Sequence, residues 1–207
     1  MTPPEILLNG ADDAHLTIAL AHGAGAMMDS PFMTAFAEGL AEAGYRTARF
    51  EFPYMVTRRE TGSKRPPDRA PILLDTWRAV IGKIGPENLV IGGKSMGGRI
   101  ASMVADETGV RGLLCLGYPF HGPGKPMNPD RLAHLEHLET AALFCQGTRD
   151  TLGSADDVKT YTLSLNIRFH WLEDGDHDFK PRKASGFTEQ GHWQDAIEAI
   201  AGYLKGL

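Results

Sequence analysis

Cysteine is scarce in this sequence: Cys115 and Cys145 are the only two. Each sits in an apolar, strand-like run. They read as small buried hydrophobes rather than as a disulfide or a metal pair, and they fit a reducing compartment, the cytoplasm. Long apolar runs are also missing. None approaches the ~20 residues that a bilayer span requires, so no membrane association is expected. The first residues, Met1 to Glu5, have no basic stretch followed by an apolar core, so no secretory signal is expected either. Basic charge is in deficit, with 21 Lys and Arg against 26 Asp and Glu and a net charge of −5. That balance excludes a general nucleic-acid binder, which needs a basic surface. Repeats, low-complexity tracts and linkers are absent too. Residues 1–207 therefore read as one domain, long enough to bury a substantial core.

What is present alternates. Apolar, β-branched runs at Glu5–Leu8, Leu16–Ala21, Arg46–Phe52, Leu89–Gly93, Gly112–Leu116, Ala141–Cys145 and Ile167–Leu172 read as strands. Between them lie helical periodicities at Pro31–Ala43, Pro71–Ile84, Ile100–Ala105, Leu132–Leu138 and Asp156–Leu163, and a last one at Gln190–Leu204. Tyr54 to Arg69 reads as a polar, mostly basic loop, and residues 117–129 as a long loop rich in proline and glycine. Strands alternating with helices predict an α/β fold with a mainly parallel sheet of about seven strands, covered on both faces. Ligands gather at the carboxyl ends of such strands.

One stretch organises the rest. Leu89 to Gly93 is strand-like, and Gly93, Lys94, Ser95, Met96 and Gly97 match G-x-S-x-G. That pattern makes chemical sense at a sharp strand-to-helix turn, which thrusts a serine hydroxyl above the sheet. The same residues superficially resemble the end of a phosphate-binding loop. The leading glycine of that motif would have to stand at Asn88, and a strand replaces the glycine-rich cradle, so that reading fails.

Ser95, Asp150 and His177 then occur in the order expected for a nucleophile, an orienting acid and a base, each just after a predicted strand. A serine hydroxyl is a weak nucleophile until a histidine takes its proton, and the imidazole needs a carboxylate to hold its tautomer. Asp156 and Asp157 are alternatives to Asp150, although the placement of Asp150 straight after a strand favours it. The amides of Met96 and Ala24 are expected to bind the oxyanion, Ala24 lying in the small-residue turn that starts at His22. His22 itself reads as a support for that turn rather than as the base. Asp174, Asp176 and Asp178 around His177 read as solvated loop acids rather than a cation site. His134 and His137 are spaced i, i+3, but no cysteine or third histidine is near, so neither a metal nor another cofactor is expected. Arg58, Arg59 or Arg65 of the basic loop is expected to grip an acidic group on the substrate, with Tyr54 lining the pocket.

Taken together, the His22–Gly25 turn, Phe52–Tyr54, Gly92–Arg99, Gly147–Asp150 and Gly175–Pro181 resemble the α/β hydrolases over nearly the whole chain. More narrowly they resemble a small subfamily related to dienelactone hydrolases, which includes the testis-expressed hydrolase-like proteins and a domain of a chromatin-complex subunit. The resemblance implies one three-layer domain without a cap. It implies a carboxylesterase-like or thioesterase-like serine hydrolase acting on a small to medium ester or thioester. The alternative it allows is a catalytically silent scaffold that binds a protein partner. Dienelactone hydrolases use a cysteine nucleophile where this chain has Ser95, which puts dienelactone in doubt as the substrate.

Overall fold

The computed structural model describes residues 3–122, 124–125 and 129–207. Part of the expected proline-rich loop, residues 123 and 126–128, lies outside them, as do Met1 and Thr2.

Seven strands form one sheet: β1 (Ile6–Asn9), β2 (Thr17–Ala21), β3 (Arg46–Phe50), β4 (Leu89–Lys94), β5 (Gly112–Leu116), β6 (Ala142–Gly147) and β7 (Ile167–Leu172). Their order across the sheet is β1-β3-β2-β4-β5-β6-β7. Only β1 runs antiparallel, pairing with β3; every other pair is parallel. The central strands are apolar throughout because both faces are covered. Along β4, Leu89 and Ile91 point into one core cluster and Val90 into the other. β5 divides in the same way, with Leu113 and Cys115 on one side and Leu114 and Leu116 on the other.

One face is covered by α1 (Pro31–Glu42) and the carboxyl-terminal helix α8 (Glu189–Leu204). Phe36, Leu40, Ile200 and Leu204 pack there. The other face carries α3 (Ala70–Ile84) and α4 (Met96–Ser102), with Trp77 fully buried against Phe50. α1 starts at Ser30, whose hydroxyl accepts from the Met33 amide, with Pro31 in the first helical position. Proline suits that place because its missing N–H would have no partner there.

Two elements differ from the sequence reading. Residues 54–61 are not loop but belong to a helix, α2 (Pro53–Thr61). Pro53 opens it, and Gly62 closes it in a left-handed conformation with its amide bonded to the Arg58 carbonyl. Only Tyr54 and Met55 are buried, so the segment has no apolar stripe for periodicity to detect. Conversely, the expected helix over Asp156–Leu163 is a single turn, α7 (Ala155–Val158). Val158 alone in it is buried, and Leu165 is fully exposed, so nothing extends the helix against the core. The remaining helices, α5 (Ala105–Thr108) and α6 (Pro129–Glu136), are short. Between consecutive strands the described residues form no inserted domain, and no helix among them is long and apolar enough to cross a membrane.

Candidate active site

Ser95 follows β4 directly and caps α4, with φ 50° and ψ −116°. A non-glycine residue there is strained, and the geometry lifts its hydroxyl out of the turn. The turn can be this tight only because Gly93 and Gly97 have no side chains. A Cβ on Gly93 would stand 2.0 Å from the Ala21 carbonyl oxygen, and one on Gly97 would stand 2.4 Å from the same atom.

The loop after β7 brings His177 over this serine. His177 Nε2 lies 2.9 Å from Ser95 Oγ, and Nδ1 lies 2.8 Å from Asp150 Oδ2. A carboxylate can only accept, so Nδ1 carries the proton and Nε2 is left free to receive one from the serine. Asp150 is fully buried beyond β6. The Leu152 amide donates to its Oδ1, and Gln146 Nε2 donates to Oδ2 at 2.8 Å. Gln146 is itself buried and bonded to Tyr118 and Gly153. Sequence reasoning passed over this glutamine, whose one signal is a polar residue near the end of an otherwise apolar strand.

Lys94, at the first variable position of the motif, is buried as well. Its ammonium donates to the His177 carbonyl at 2.7 Å and pairs with Asp178 at 3.2 Å. Burial lowers its pKa, and the Asp178 carboxylate acts against that shift. Lys94 therefore ties the nucleophile turn to the histidine loop.

The same loop is anchored at Asp174, which has φ 58°. Its carboxylate accepts from the Arg182 amide and pairs with the Arg182 and Arg149 guanidiniums. The hydrogen bond from the Arg182 side chain is the main cause holding the Asp174 carboxyl down at about 2. A pKa below the unfolded value of ~3.9 stabilises the fold fully above that pH. The contribution is lost as pH falls through the folded value. The gap in Tm between wild type and Asp174→Asn is thus expected to be constant above about pH 5 and to close toward pH ~2. Thermal melts across that range check it. A gap that persists at the acid end would mean that the charge of Asp174 is not what anchors the loop.

On the opposite side of Ser95, the turn after β2 presents Ala24. His22 fixes this turn: its Nδ1 bonds to the Gly23 carbonyl at 2.7 Å and its Nε2 accepts from the Phe52 amide at 3.2 Å. With both nitrogens engaged, and its pKa lowered chiefly by burial, His22 stays neutral. The α2 residues expected to meet substrate hold this turn instead. The Tyr54 hydroxyl donates to the Ala24 carbonyl, and Arg58 donates to that of Gly25. Arg59 pairs with Asp29 and with the buried Glu51. Arg65 lines a neighbouring groove with Pro66 and Arg69.

None of those four lines the cleft that opens onto Ser95. That cleft, about 330 Å³, is walled by Ala24, Asp68, Ser95, Met96, Arg99 and Arg131 together with apolar neighbours. Met96 and Ala24 line the same cleft as the serine. Arg99 and Arg131 are the cations there, and sequence reading had no signal for either.

The other candidates lie elsewhere. Asp157 completes a capping box with Ser154, and Asp156 pairs with Lys159. Asp176 accepts from the Asp178 and Lys180 amides. His134 Nε2 meets the Ser102 hydroxyl at 2.8 Å. His137 is exposed. Among the described residues, no three His, Cys, Asp or Glu side chains gather as a metal would require. Cys115 and Cys145 are buried free thiols, and burial pushes both pKa values up.

Residues 14–205 match the model of a family described as alpha/beta hydrolase domain. Among solved structures, the chain is similar to an alpha-beta serine hydrolase homologue from Coxiella burnetii. The two share 20% identity and a TM-score of 0.73, over 96% of this chain and 90% of that one. A monoacylglycerol lipase from Paleococcus ferrophilus aligns at 13% identity and a TM-score of 0.74, over 99% of both chains. A serine hydrolase without lid from Xanthomonas campestris aligns at 18% identity and a TM-score of 0.63, over 97% of this chain and 86% of that one.

Proposed function

The chain belongs to the alpha/beta hydrolase family, and from that premise we propose that it is a serine hydrolase cleaving a small to medium ester or thioester. The observation that carries this reading is the hydrogen-bonded series from Ser95 through His177 to the buried Asp150, set at a strained strand-to-helix turn. The serine hydrolase and lipase among the structural neighbours agree with it at a coarse level. The motifs around Ser95 and His177 also support placement in the cap-less, dienelactone-hydrolase-related subfamily.

Ser95 Oγ attacks the substrate carbonyl carbon as its proton passes to His177 Nε2. The amides of Met96 and Ala24 receive the developing oxyanion. The bond from carbon to the leaving oxygen or sulfur then breaks, and His177 gives its proton to the departing alcohol or thiol. Water attacks the acyl-enzyme, surrenders a proton to His177 and releases the acid, and Ser95 recovers its hydrogen. Asp150 holds the imidazole and stabilises its cation throughout. No metal or organic cofactor enters these steps. Labelling by a fluorophosphonate probe tests the reading, because it requires an activated serine beside an oxyanion site. An unreactive native protein would favour a silent scaffold.

A further inference from the structure

Five of the arginines are matched to carboxylates: Arg46 to Asp12, Arg59 to Glu51 and Asp29, Arg78 to Asp75 and Glu107, and Arg149 and Arg182 to Asp174. Arg99 and Arg131 are not. Among the described side chains, no Asp or Glu forms an ion pair with either. Arg99 Nη1 donates to the Met103 sulfur at 3.7 Å, and Arg131 Nη1 donates to the Pro119 carbonyl at 3.3 Å. Asp68 shares their cleft, but its carboxylate accepts the Tyr54 amide. Both arginines are half-buried. The pKa of Arg99 is lowered first by burial, and the charge of Arg131 lowers it further. Two like charges kept partly dry and without a carboxylate cost free energy, and an anion between them would recover it.

Their position says where the anion belongs. Arg99 follows Ser95 by four residues, its amide bonded to the Ser95 carbonyl, so the two share one face of the helical turn. Arg131 reaches the same cleft from α6. A leaving group must stay within reach of His177, which donates its proton. The cleft extends from Ser95 toward Ala24, Asp68, Arg99 and Arg131, and its walls come from those elements rather than from the His177 loop. The cleft therefore fits the acyl part.

Building on the hydrolase reading, we propose that Arg99 and Arg131 form a carboxylate subsite, and that the substrate is an ester or thioester of a short acyl chain ending in a carboxylate. The test compares p-nitrophenyl hydrogen glutarate with its neutral counterpart, p-nitrophenyl pentanoate. Wild type is expected to favour the charged ester in kcat/KM. In Arg99→Gln and in Arg131→Gln, the ratio of the two kcat/KM values is expected to fall by about 10- to 100-fold, as for a lost hydrogen bond to a charged group. Arg99→Lys should restore part of it. A ratio that does not move overturns the subsite, whichever way absolute rates change. So does a larger effect of these substitutions on the pentanoyl ester of para-hydroxybenzoate, which carries its carboxylate on the leaving group. Turnover of none of these esters, with Ser95 also unreactive to fluorophosphonate, overturns the hydrolase reading and the subsite with it.

Discussion

Asp150→Asn is expected to cut kcat for a p-nitrophenyl ester by about ten-thousand-fold, with KM changed far less. The reason lies in donors that already surround the carboxylate. Oδ1 receives the Leu152 amide, while Oδ2 receives Gln146 Nε2 and His177 Nδ1. An asparagine must put its NH₂ at one of these two places. At the Oδ2 position it faces the imidazole as a donor and forces the proton onto Nε2, where it blocks transfer from Ser95. At the Oδ1 position it opposes the Leu152 N–H and leaves a buried donor unsatisfied. In both orientations the imidazolium formed during attack has lost its counter-charge. A loss below about a hundred-fold would mean that Asp150 does not orient the base. Asp156 and Asp157, engaged elsewhere, would then need re-examination.

The second large effect is on folding. Gly93→Ala is expected to destabilise by more than ~3 kcal/mol, lowering Tm by about 6 °C or more or preventing folding. Two penalties coincide at this position. Its φ is 147°, in a region that L side chains rarely adopt. Its new Cβ would also meet the oxygen, nitrogen and carbon of Ala21, its ladder partner on β2. The Ala21 backbone cannot move without breaking the sheet beneath Ser95. Gly82→Ala is the control: it sits exposed in α3 with nothing within 4 Å of a Cβ. That change should be neutral or should stabilise by up to ~1 kcal/mol, because alanine favours the helix. Similar melting behaviour for the two variants would refute the close approach at the nucleophile turn.

How much of this was legible in sequence depends on whether a feature is local. The run from Leu89 to Gly97 declares both a doubly covered strand and a sharp turn, because burial on two faces and close backbone approach each leave a compositional mark. The placement of Asp150 and His177 after strands was readable for the same reason, since parallel topology sends successive strand ends to one edge. α2 was not legible, as its contacts are polar and reach back to the turn after β2. The arginines show the limit best. Arg58 and Arg59 stood out in a basic segment, yet their charge serves Gly25, Asp29 and Glu51, residues far away in sequence. Arg99 and Arg131 are 32 positions apart, and only folding puts them beside Ser95 in one cleft. Lys94 and Gln146 were likewise invisible as supports, because nothing local tells that a lysine is buried or what a glutamine faces.

The central claim is that Ser95 is an activated nucleophile, and the most direct measurement is the position of a fluorophosphonate adduct. Native protein treated with the probe and mapped by peptide mass spectrometry should carry one adduct, on the peptide containing Ser95. The adduct should be absent from Ser95→Ala and strongly suppressed in His177→Ala. A native protein that remains unmodified while an ordinary esterase reacts under the same conditions, or one modified at another serine, would contradict the account.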